Sequence, residues 1–493
     1  MKHGKAAGAD RIQAELLKAA PELITEVLHN LFRKVWDSEK VPDDWTKGII
    51  IKLPKKGDLG NCDNWRGITL LSIPSKVFCR ILLKRIDKEI DGKLREEQAG
   101  FRANRGCIDQ IFSLRNIIEQ CVEWNSPLHI NFVDFKKAFD SIHRQSMFKI
   151  LAHYGIPPKL ISIITKFYES FQCTVALENN NLTEYFNVES GVRQGDILSP
   201  ILFLITIDWV MRRTTDGVKR GIQWGLLDQL EDLDFADDLG LLSTKHQDLQ
   251  EKSTRLALFA EQVGLKINTK KTEMMSFTMG DHENPPLTIG EVEIKKVEKF
   301  TYLGSVISKD EGAGADIAAR ISKARTAFNM LQKIWRSSQI SRKLKVRLYK
   351  SNVLSVLLYG SECWRVIGSE LKKLDAFNNS CLRRILKIFW PNQISNNELH
   401  ETTETVPVST EIKRRRLRWL GHVLRMDQGR IPKMALRWTP QGRRNRGRPK
   451  TTWRRSVETE LRSMGLSWGQ AQVLARDRAK WRQAVGMALY PTG

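Results

Sequence analysis

Apolar residues recur along this chain at two different spacings. At helical spacing, three or four residues apart, they run through residues 1–44 and return in five later segments, 73–90, 108–122, 144–178, 248–263 and 316–358. Shorter runs of Ile, Leu, Val and Phe lie between these segments. In residues 130–135 the apolar side chains alternate as in a strand with one buried face. The pattern therefore predicts helices and strands intermixed along the chain.

The alternating run carries a carboxylate on its buried face. Ile130, Phe132 and Asp134 fall on the same side of the predicted strand. A buried charge needs a partner, and a metal ion is a natural one for a carboxylate. Asp140 follows after a turn, and we interpret it as an acid that stabilises a helix rather than as a metal ligand.

A second acidic position lies in residues 230–242, where Asp237 and Asp238 stand between apolar runs. This order suits the tight turn of a β-hairpin at the lip of a sheet. Adjacent carboxylates repel each other unless a cation neutralises them, and a pair of Mg²⁺ ions about 3.5–4 Å apart is the usual solution in nucleotide chemistry. Taken alone, the same residues also fit a solvated surface turn.

The overall composition narrows the class of protein. The length of 493 residues allows three or four domains. The seven cysteines form no C-x-x-C pair, which indicates a reducing compartment rather than a disulfide scaffold or a zinc ribbon. The longest apolar run, 197–211, is interrupted by Asp208 and predicts a buried helix, so we expect no membrane partner.

The net charge of +24 predicts a polyanionic partner, and it is concentrated at the C-terminus. Residues 411–493 hold 21 Lys and Arg but only five Asp and Glu. Residues 391–412 are polar and predict a linker. From residue 413 tryptophans alternate with basic residues, a pattern typical of single-stranded nucleic-acid binding, although a solvated basic tail or a nuclear-localisation patch has the same composition. The predicted nucleic-acid contacts in this region are Arg443, Arg444, Arg446 and Arg448.

Three segments of the N-terminal half are rich in basic residues or glycine. Lys52 and Arg66 flank a predicted hairpin that suits a triphosphate, although such a hairpin is also often merely solvated. Arg102 and Arg105 lie in a Gly- and Arg-rich loop and are predicted to contact template phosphates. The segment 188–203 contains a glycine-rich polar loop that allows close approach to a nucleotide.

Eight motifs follow one another along the chain: KLPK at 52–55, WRGITL at 65–70, QAGFR at 98–102, VDFKKAFD at 133–140, GVRQGDILSP at 191–200, FADD at 235–238, GLKIN at 264–268 and YLG at 302–304. In this order they resemble the reverse transcriptase of non-LTR, LINE-type retrotransposons over about residues 5–310, and the C-terminal run RRLRWLGHV at 415–423 resembles the RTE-like branch. The ordered set is far more specific than any one of its members.

The resemblance implies an α+β fold of the right-hand polymerase type. It implies a helical extension of the fingers in residues 1–44, fingers and palm in 45–280, and the end of the palm with a helical thumb in 281–390. The linker 391–412 and a basic, Trp- and Arg-rich nucleic-acid-binding region, 413–493, complete the expected organisation.

The resemblance also implies roles for individual residues. Asp134, Asp237 and Asp238 match the catalytic carboxylates that hold two Mg²⁺ ions, and Lys271, or its neighbour Lys270, matches the lysine that protonates pyrophosphate. The other residues implied to bind substrate are Lys52 and Arg66 at the triphosphate, Phe135, Phe139 as the aromatic gate that excludes a ribose 2′-OH, and Gln194 with Gly195 beneath the template–primer pair.

The implied activity is RNA-directed DNA polymerisation from a DNA 3′-OH, with an RNA template, a DNA primer or target and dNTPs as partners. The sequence begins close to the polymerase motifs, so we expect an endonuclease activity to be supplied elsewhere. We expect an intracellular protein that acts in the nucleus and passes through the cytoplasm before import. The alternatives are a catalytically inactive nucleic-acid-binding remnant and a maturase-like RNA-binding protein.

Overall fold

The computed structural model describes residues 3–55, 57–177, 181–225, 228–277, 284–310, 312–442, 444, 447 and 450–489. In the first part of the chain the elements are α1 (Leu16–Ala19), α2 (Pro21–Ser38), β1 (Lys47–Pro54), β2 (Trp65–Leu70), α3 (Ile73–Ile90), α4 (Cys107–Glu123), β3 (Leu128–Val133), α5 (Ala138–Ser141), α6 (Arg144–His153), α7 (Pro158–Glu169), β4 (Gln172–Val175), β5 (Phe186–Asn187) and α8 (Ser199–Thr215). Short 3-10 helices cover Asp43–Thr46 and Cys62–Asn64.

The middle of the chain is strand-rich and the end is helical. The strands and the helix among them are β6 (Ile222–Gln223), β7 (Gln229–Leu230), β8 (Asp232–Phe235), β9 (Asp238–Ser243), α9 (His246–Glu261), β10 (Glu273–Phe277), β11 (Thr288–Ile289), β12 (Val292–Glu293), β13 (Lys295–Lys296), β14 (Lys299–Tyr302) and β15 (Ser305–Ser308). The helices that follow are α10 (Gly314–Met330), α11 (Gln332–Arg336), α12 (Arg342–Tyr349), a π-helical turn (Lys350–Leu354), α13 (Ser355–Leu357), a 3-10 helix (Ser361–Cys363), α14 (Gly368–Leu386), α15 (Asn396–Thr403), α16 (Val408–Arg425), α17 (Ile431–Ala435), α18 (Trp453–Ser463), α19 (Trp468–Arg476) and α20 (Arg478–Leu489).

The central sheet has five strands in the order β13-β10-β3-β9-β8. Strand β3 lies in its middle and pairs antiparallel with both β9 and β10. Val133 at the end of β3 is opposite Leu239 of β9, one residue after Asp238. The predicted strand end and the predicted acidic hairpin therefore meet at one edge of the sheet.

Both faces of this sheet are buried. One face packs with helices α3 and α6–α9 in the largest apolar cluster, to which Val133 and Leu241 belong. The opposite face packs on α4, β14 and α17, and here Ile130 and Phe132 lie together as their alternation predicts. A second, four-stranded sheet has the order β2-β1-β4-β5. Its strands β1 and β2, with Lys52 and Arg66, form the basic hairpin. The sheets are largely antiparallel and the end of the chain is entirely helical in the described residues, so the α+β prediction is confirmed.

The prediction of a linker at 391–412 is wrong. Helix α15 and the beginning of α16 lie in this segment, and Leu399, Val408 and Ile412 are buried among α10–α14. Polar residues dominate the segment because only one side of each short helix faces the core, so average composition hides the apolar stripe.

The basic C-terminal region is a packed domain wherever the structure describes it. Helices α16 and α18–α20 cover a second face of α4, with Ile111, Phe112, Trp453 and Trp481 in one cluster. In the described residues, no helix has the length and apolar character that a membrane span requires.

Candidate active site

The acidic hairpin is a two-residue turn between β8 and β9. Phe235 pairs with Asp238, so Ala236 and Asp237 form the turn. Ala236 has a φ of +57°, a left-handed conformation that costs a non-glycine residue about 1 kcal/mol. The turn directs two successive carboxylates to the edge of the sheet where β3 ends.

Asp134 lies directly after β3 and is held by the segment that precedes β10. Its carbonyl accepts a hydrogen bond from the amide of Asn268 (2.8 Å), and its Oδ2 accepts one from Asn268 Nδ2 (3.2 Å). The Lys271 Nζ lies 3.6 Å from the same Oδ2, and this lysine side chain is 71% exposed. The structure thus brings Lys271 to the carboxylate, whereas it shows no such contact for Lys270.

Burial and the charges of neighbouring acids raise the pKa values of Asp237 and Asp238. Partial burial raises the pKa of Asp238 to about 6, with further contributions from the charges of Asp237 and Asp134. Burial also raises the pKa of Asp237; the charge of Asp134 adds to that shift, while a hydrogen bond to its own backbone and the charge of Arg66 oppose it. The predicted site residues are therefore close in space, although they come from separate parts of the chain.

A cavity of about 230 Å³ adjoins these acids. Asp134, Asp238 and Lys271 line one side of it, and the β14–β15 hairpin lines the other with Phe300 and Tyr302. The hairpin is fixed because the Tyr302 hydroxyl donates to the carbonyl of Leu233 in β8 (2.9 Å).

The charge of Arg66 in the basic hairpin reaches the site, where it acts to lower the pKa of Asp237. Lys52 is opposite Gly67 and Arg66 is opposite Leu53, so both cations lie in the β1–β2 pair, and both are exposed. The Lys52 Nζ lies 5.7 Å from the ring centre of Trp65. The connection between these strands reaches the turn after β3, where Lys137 forms an ion pair with Asp63 (2.9 Å).

The two aromatic residues predicted to bind substrate differ in their surroundings. Phe139 is half-buried and stacks on Phe203, with ring centres 4.3 Å apart, while its other neighbour Phe101 meets it edge-on. Phe135 is only 5% exposed and belongs to the largest core cluster. The prediction that the Phe135 side chain binds substrate is therefore wrong.

The loop that contains Gln194 and Gly195 links strand β2 of the basic hairpin to Asp140 in α5. The carbonyl of Gln194 accepts a hydrogen bond from the amide of Thr69 in β2 (2.9 Å), and Gln194 Nε2 donates to Asp140 Oδ1 (2.6 Å). Gly195 has a φ of +114°, and a Cβ there would lie 2.3 Å from the carbonyl oxygen of Thr69. The glycine is required because the two backbones touch.

Arg102 and Arg105 do not face a template. Arg102 is buried and donates to Asp91 Oδ1 (2.8 Å) and to the carbonyls of Asp91, Arg95 and Gln98. Arg105 is bound to Glu96 (2.6 Å). The predicted phosphate contacts are wrong, because these guanidinium groups tie together the loop that follows α3.

The predicted C-terminal nucleic-acid residues divide into two groups. Arg443, Arg446 and Arg448 lie outside the described residues. Arg444 lies 3.5 Å from Glu123 Oε1 on α4. The tryptophans Trp453 and Trp481 are buried and form part of the core, so stacking on nucleic-acid bases is excluded for both.

Sequence reasoning missed a buried network behind the hairpin. Arg95 donates to Asp232 Oδ1 and Oδ2 (2.9 and 2.8 Å) and to Asp234 Oδ2 (2.7 Å), and its amide donates to Asp208 Oδ1 (2.8 Å). The signal was present in the sequence, because an acid such as Asp208 inside an apolar helix requires a buried partner.

The site chemistry fits a divalent cation. Among the described residues, no three His, Cys, Asp or Glu side chains form a ready-made metal site. The repulsion of Asp237 and Asp238 by their acidic neighbours is nevertheless the condition that a cation relieves, and the oxygen donors of these carboxylates and of Asp134 are those that Mg²⁺ prefers.

Comparison with known protein families identifies the family to which this chain belongs. The family described as reverse transcriptase (RNA-dependent DNA polymerase) matches residues 53–307, slightly more than half of the chain, and a domain of unknown function matches residues 327–359. The chain belongs to the reverse transcriptase family, a class of polymerases that use divalent metal ions and an RNA template, and its palm carries the carboxylates described above.

The chain is also similar to several proteins of mobile elements. A probable RNA-directed DNA polymerase from transposon X-element of Drosophila melanogaster is 26% identical over 477 residues, which cover 93% of this chain and 50% of that protein. The Pol polyprotein of the type-1 retrotransposable element R2 of Popillia japonica is 27% identical over 72% of this chain and 50% of its own length. The chain thus spans about half the length of these relatives, and the resemblance to non-LTR retrotransposon enzymes is confirmed.

Among solved structures, apo telomerase from Candida tropicalis aligns with a TM-score of 0.41 at 13% identity, over 83% of this chain and 68% of that chain. A second structure, telomerase from Candida albicans in complex with a telomeric RNA fragment, has a TM-score of 0.36 at 12% identity over 82% and 68%.

Proposed function

We propose that this chain is the RNA-directed DNA polymerase of a non-LTR retrotransposon and extends a DNA 3′-OH on an RNA template by two-metal nucleotidyl transfer. The observation that carries the proposal is the meeting of Asp134 with Asp237 and Asp238 at one sheet edge, where the charge of Arg66 also acts on Asp237. An acidic edge opposite a basic hairpin provides binding for both a metal and a triphosphate.

Asp134 and Asp237 are the residues that would hold two Mg²⁺ ions, with Asp238 in support. When bound, such ions lower the pKa of the attacking 3′-OH and neutralise charge that develops on the phosphates. Arg66 and Lys52 bind the triphosphate from the opposite side. Lys271, exposed beside Asp134, holds a proton for the leaving pyrophosphate.

Phe139 selects the sugar. Its ring is supported from below by Phe203 and cannot retreat, because Phe203 is fully buried. A ribose 2′-OH would meet the ring face, whereas deoxyribose leaves room. Gln194 and Gly195 bring the loop backbone against β2, where it supports the template–primer pair.

A basic groove on the C-terminal domain supplies a further surface for nucleic acid. Its lining, around a cavity of about 500 Å³, includes Arg418, Arg425, Arg478 and Arg482. The pKa of Arg425 is lowered by burial and by the charges of Arg478 and Arg482. A phosphodiester backbone relieves this repulsion, so we place the nucleic-acid contact of the C-terminal region here as well as in the run 441–450.

In this proposal the chain performs target-primed reverse transcription. RNA serves as template, a nicked DNA target supplies the primer, and a nuclease activity located elsewhere makes the nick. Such a reaction places the protein in the nucleus at the site of action, after passage through the cytoplasm.

Primer extension on an RNA template with a DNA primer, dNTPs and Mg²⁺ tests the proposal. Asp237→Asn should reduce extension at least 100-fold, on the order expected for loss of a metal-holding carboxylate, while RNA binding stays within about two-fold. Asp216→Asn, at an exposed aspartate that caps the end of α8, serves as the control and should extend normally.

Extension by Asp237→Asn at the wild-type rate would show that the metal assignment is wrong. Wild-type protein that binds RNA in a salt-sensitive way, but extends no primer, would instead identify a binding remnant.

A further inference from the structure

The segment that connects α3 and α4 runs beside the acidic hairpin. Gln98 forms a parallel bridge with Asp234 of β8. The amide of Asp234 donates to the carbonyl of Glu97 (3.1 Å), and the amide of Ala99 donates to the carbonyl of Asp234 (3.0 Å). This segment therefore extends the central sheet by a short edge just before the hairpin turn.

The Gln98 side chain continues the contact onto the turn itself. Its Oε1 accepts hydrogen bonds from the amides of Ala236 (2.7 Å) and Gly100 (2.8 Å), and its Nε2 donates to the carbonyl of Ala236 (3.2 Å). Gln98 is fully buried. One carboxamide thus binds both backbone polar groups of the residue that precedes Asp237.

The turn needs such support for two reasons. Ala236 is held in a left-handed conformation that is unfavourable for a side chain with a Cβ. Asp237 and Asp238 follow it directly, and their mutual repulsion favours an arrangement in which the carboxylates lie farther apart. Without an external constraint, both effects act to open the turn.

Gly100 lies directly against the backbone of Ala236. A Cβ at this position would lie 2.3 Å from the backbone nitrogen of Ala236 and 2.8 Å from its Cα. A residue larger than glycine would displace the turn, because no flexible side chain lies between the two backbones.

We propose that Gln98 is a positioning residue that sets the affinity of the active site for divalent metal by fixing the Ala236 turn. The inference rests on the proposed function, since it assumes that Asp134, Asp237 and Asp238 hold the metal. Gln98 does not touch the reacting atoms, and it acts through the backbone of Ala236.

Gln98→Met tests the proposal because it keeps the length of the side chain and removes all three hydrogen bonds. Gln110→Met is the matched control. Gln110 is equally buried and donates from Nε2 to the carbonyls of Asp234 (2.8 Å) and Glu97 (2.6 Å), so it binds the same two backbone segments but not the turn. Gly100→Ala displaces the turn while Gln98 stays intact.

The measurement is Mn²⁺ binding to the full chain, followed by the electron paramagnetic resonance signal of free Mn²⁺, together with the melting temperature of each variant. We expect Gln98→Met and Gly100→Ala to weaken Mn²⁺ binding at least ten-fold. Gln110→Met should lower the melting temperature by a similar amount as Gln98→Met but bind Mn²⁺ within two-fold of wild type. In primer extension, the two turn variants should need more Mg²⁺ for half-maximal rate.

Two results would overturn the proposal: wild-type Mn²⁺ affinity in folded Gln98→Met, or an equal loss of affinity in Gln110→Met. Mn²⁺ binding by Asp237→Asn distinguishes failure of the Gln98 proposal from failure of the proposed function. If Asp237→Asn leaves Mn²⁺ binding unchanged, the metal assignment itself is wrong, whatever Gln98 does.

Discussion

The Asp238 carboxyl changes its protonation state within the pH range in which polymerase activity can be measured. Its pKa of about 6 lies above the ordinary carboxyl value of about 4 because of burial and the nearby charges of Asp237 and Asp134. Between about pH 4 and pH 6, the folded metal-free protein holds a proton on this carboxyl that the unfolded chain has lost. The contribution of Asp238 to the free energy of unfolding therefore increases as the pH falls through about 6.

The same titration predicts the pH dependence of catalysis. Protons compete with the metal for Asp238, so extension at limiting Mg²⁺ should fall as the pH drops through about 6, and saturating Mg²⁺ should move the midpoint to lower pH. Rate profiles at both metal concentrations measure the shift. A midpoint that does not respond to Mg²⁺ would contradict competition at this carboxylate.

Phe139 allows a second test at the scale of a single residue. Phe139→Val removes the ring that faces the sugar, and we expect the ratio of ribonucleotide to deoxyribonucleotide incorporation to rise at least about ten-fold, the effect of one lost steric contact. Phe203→Leu keeps the Phe139 ring but removes its support. It should therefore reduce stability and also raise the ratio, but by less than Phe139→Val does. An unchanged ratio in Phe139→Val would remove the gate role.

Strand β8 is the element that the buried arginine network stabilises. Asp232 and Asp234 alternate on this strand and both bind Arg95, which also contacts Asp208 on α8. Tyr154 and Arg212 bind Asp208 in turn (2.6 and 2.7 Å). The hairpin is thereby connected to α8, which carries Asp208 and Arg212, and to Tyr154 at the end of α6.

Removing the central cation should be costly, because it leaves three buried carboxylates without their shared partner. Arg95→Met should lower the free energy of unfolding by about 3–5 kcal/mol. Urea unfolding at constant pH measures the loss. Lys166→Met breaks the exposed pair with Glu169 and should cost less than about 1 kcal/mol. Equal losses in the two variants would contradict a special role for the network.

The basic C-terminal region is joined to the polymerase core through α4. Trp453 is fully buried against Phe112, with ring centres 4.8 Å apart, and its amide donates to Glu119 Oε2 (2.7 Å). Deletion of 411–493 would therefore expose Phe112 and Ile111 to water. Nucleic-acid binding by this region is better tested by surface substitutions than by truncation.

The basic groove provides such a test. Replacement of Arg425, Arg478 and Arg482 by Gln should weaken RNA binding and reduce the slope of log K against log salt concentration by about two to three, since each phosphate contact contributes about 0.7–0.9. The Arg→Lys triple variant keeps the charges and should keep the slope. A slope unchanged in the Gln variant would show that the groove does not bind nucleic acid.

The acidic centre of this protein follows from local patterns in the amino-acid sequence. Alternation placed Asp134 at the end of a buried strand, and the hairpin pattern placed Asp237 and Asp238 in a turn, because strand periodicity and turn chemistry are local properties. The ordered motifs then identified the family, and the α+β fold followed with it.

Long-range packing distinguishes the polar residues that face ligands from those that hold the protein together. Arg102 and Arg105 have the composition of phosphate-binding residues but bind protein carbonyls and carboxylates, and Trp453 is core rather than a stacking platform. The hydrogen-bond partner of the Gln98 side chain is Ala236, which lies 138 residues away along the chain. Such partners are set by long-range packing, which leaves no periodic signal in the sequence.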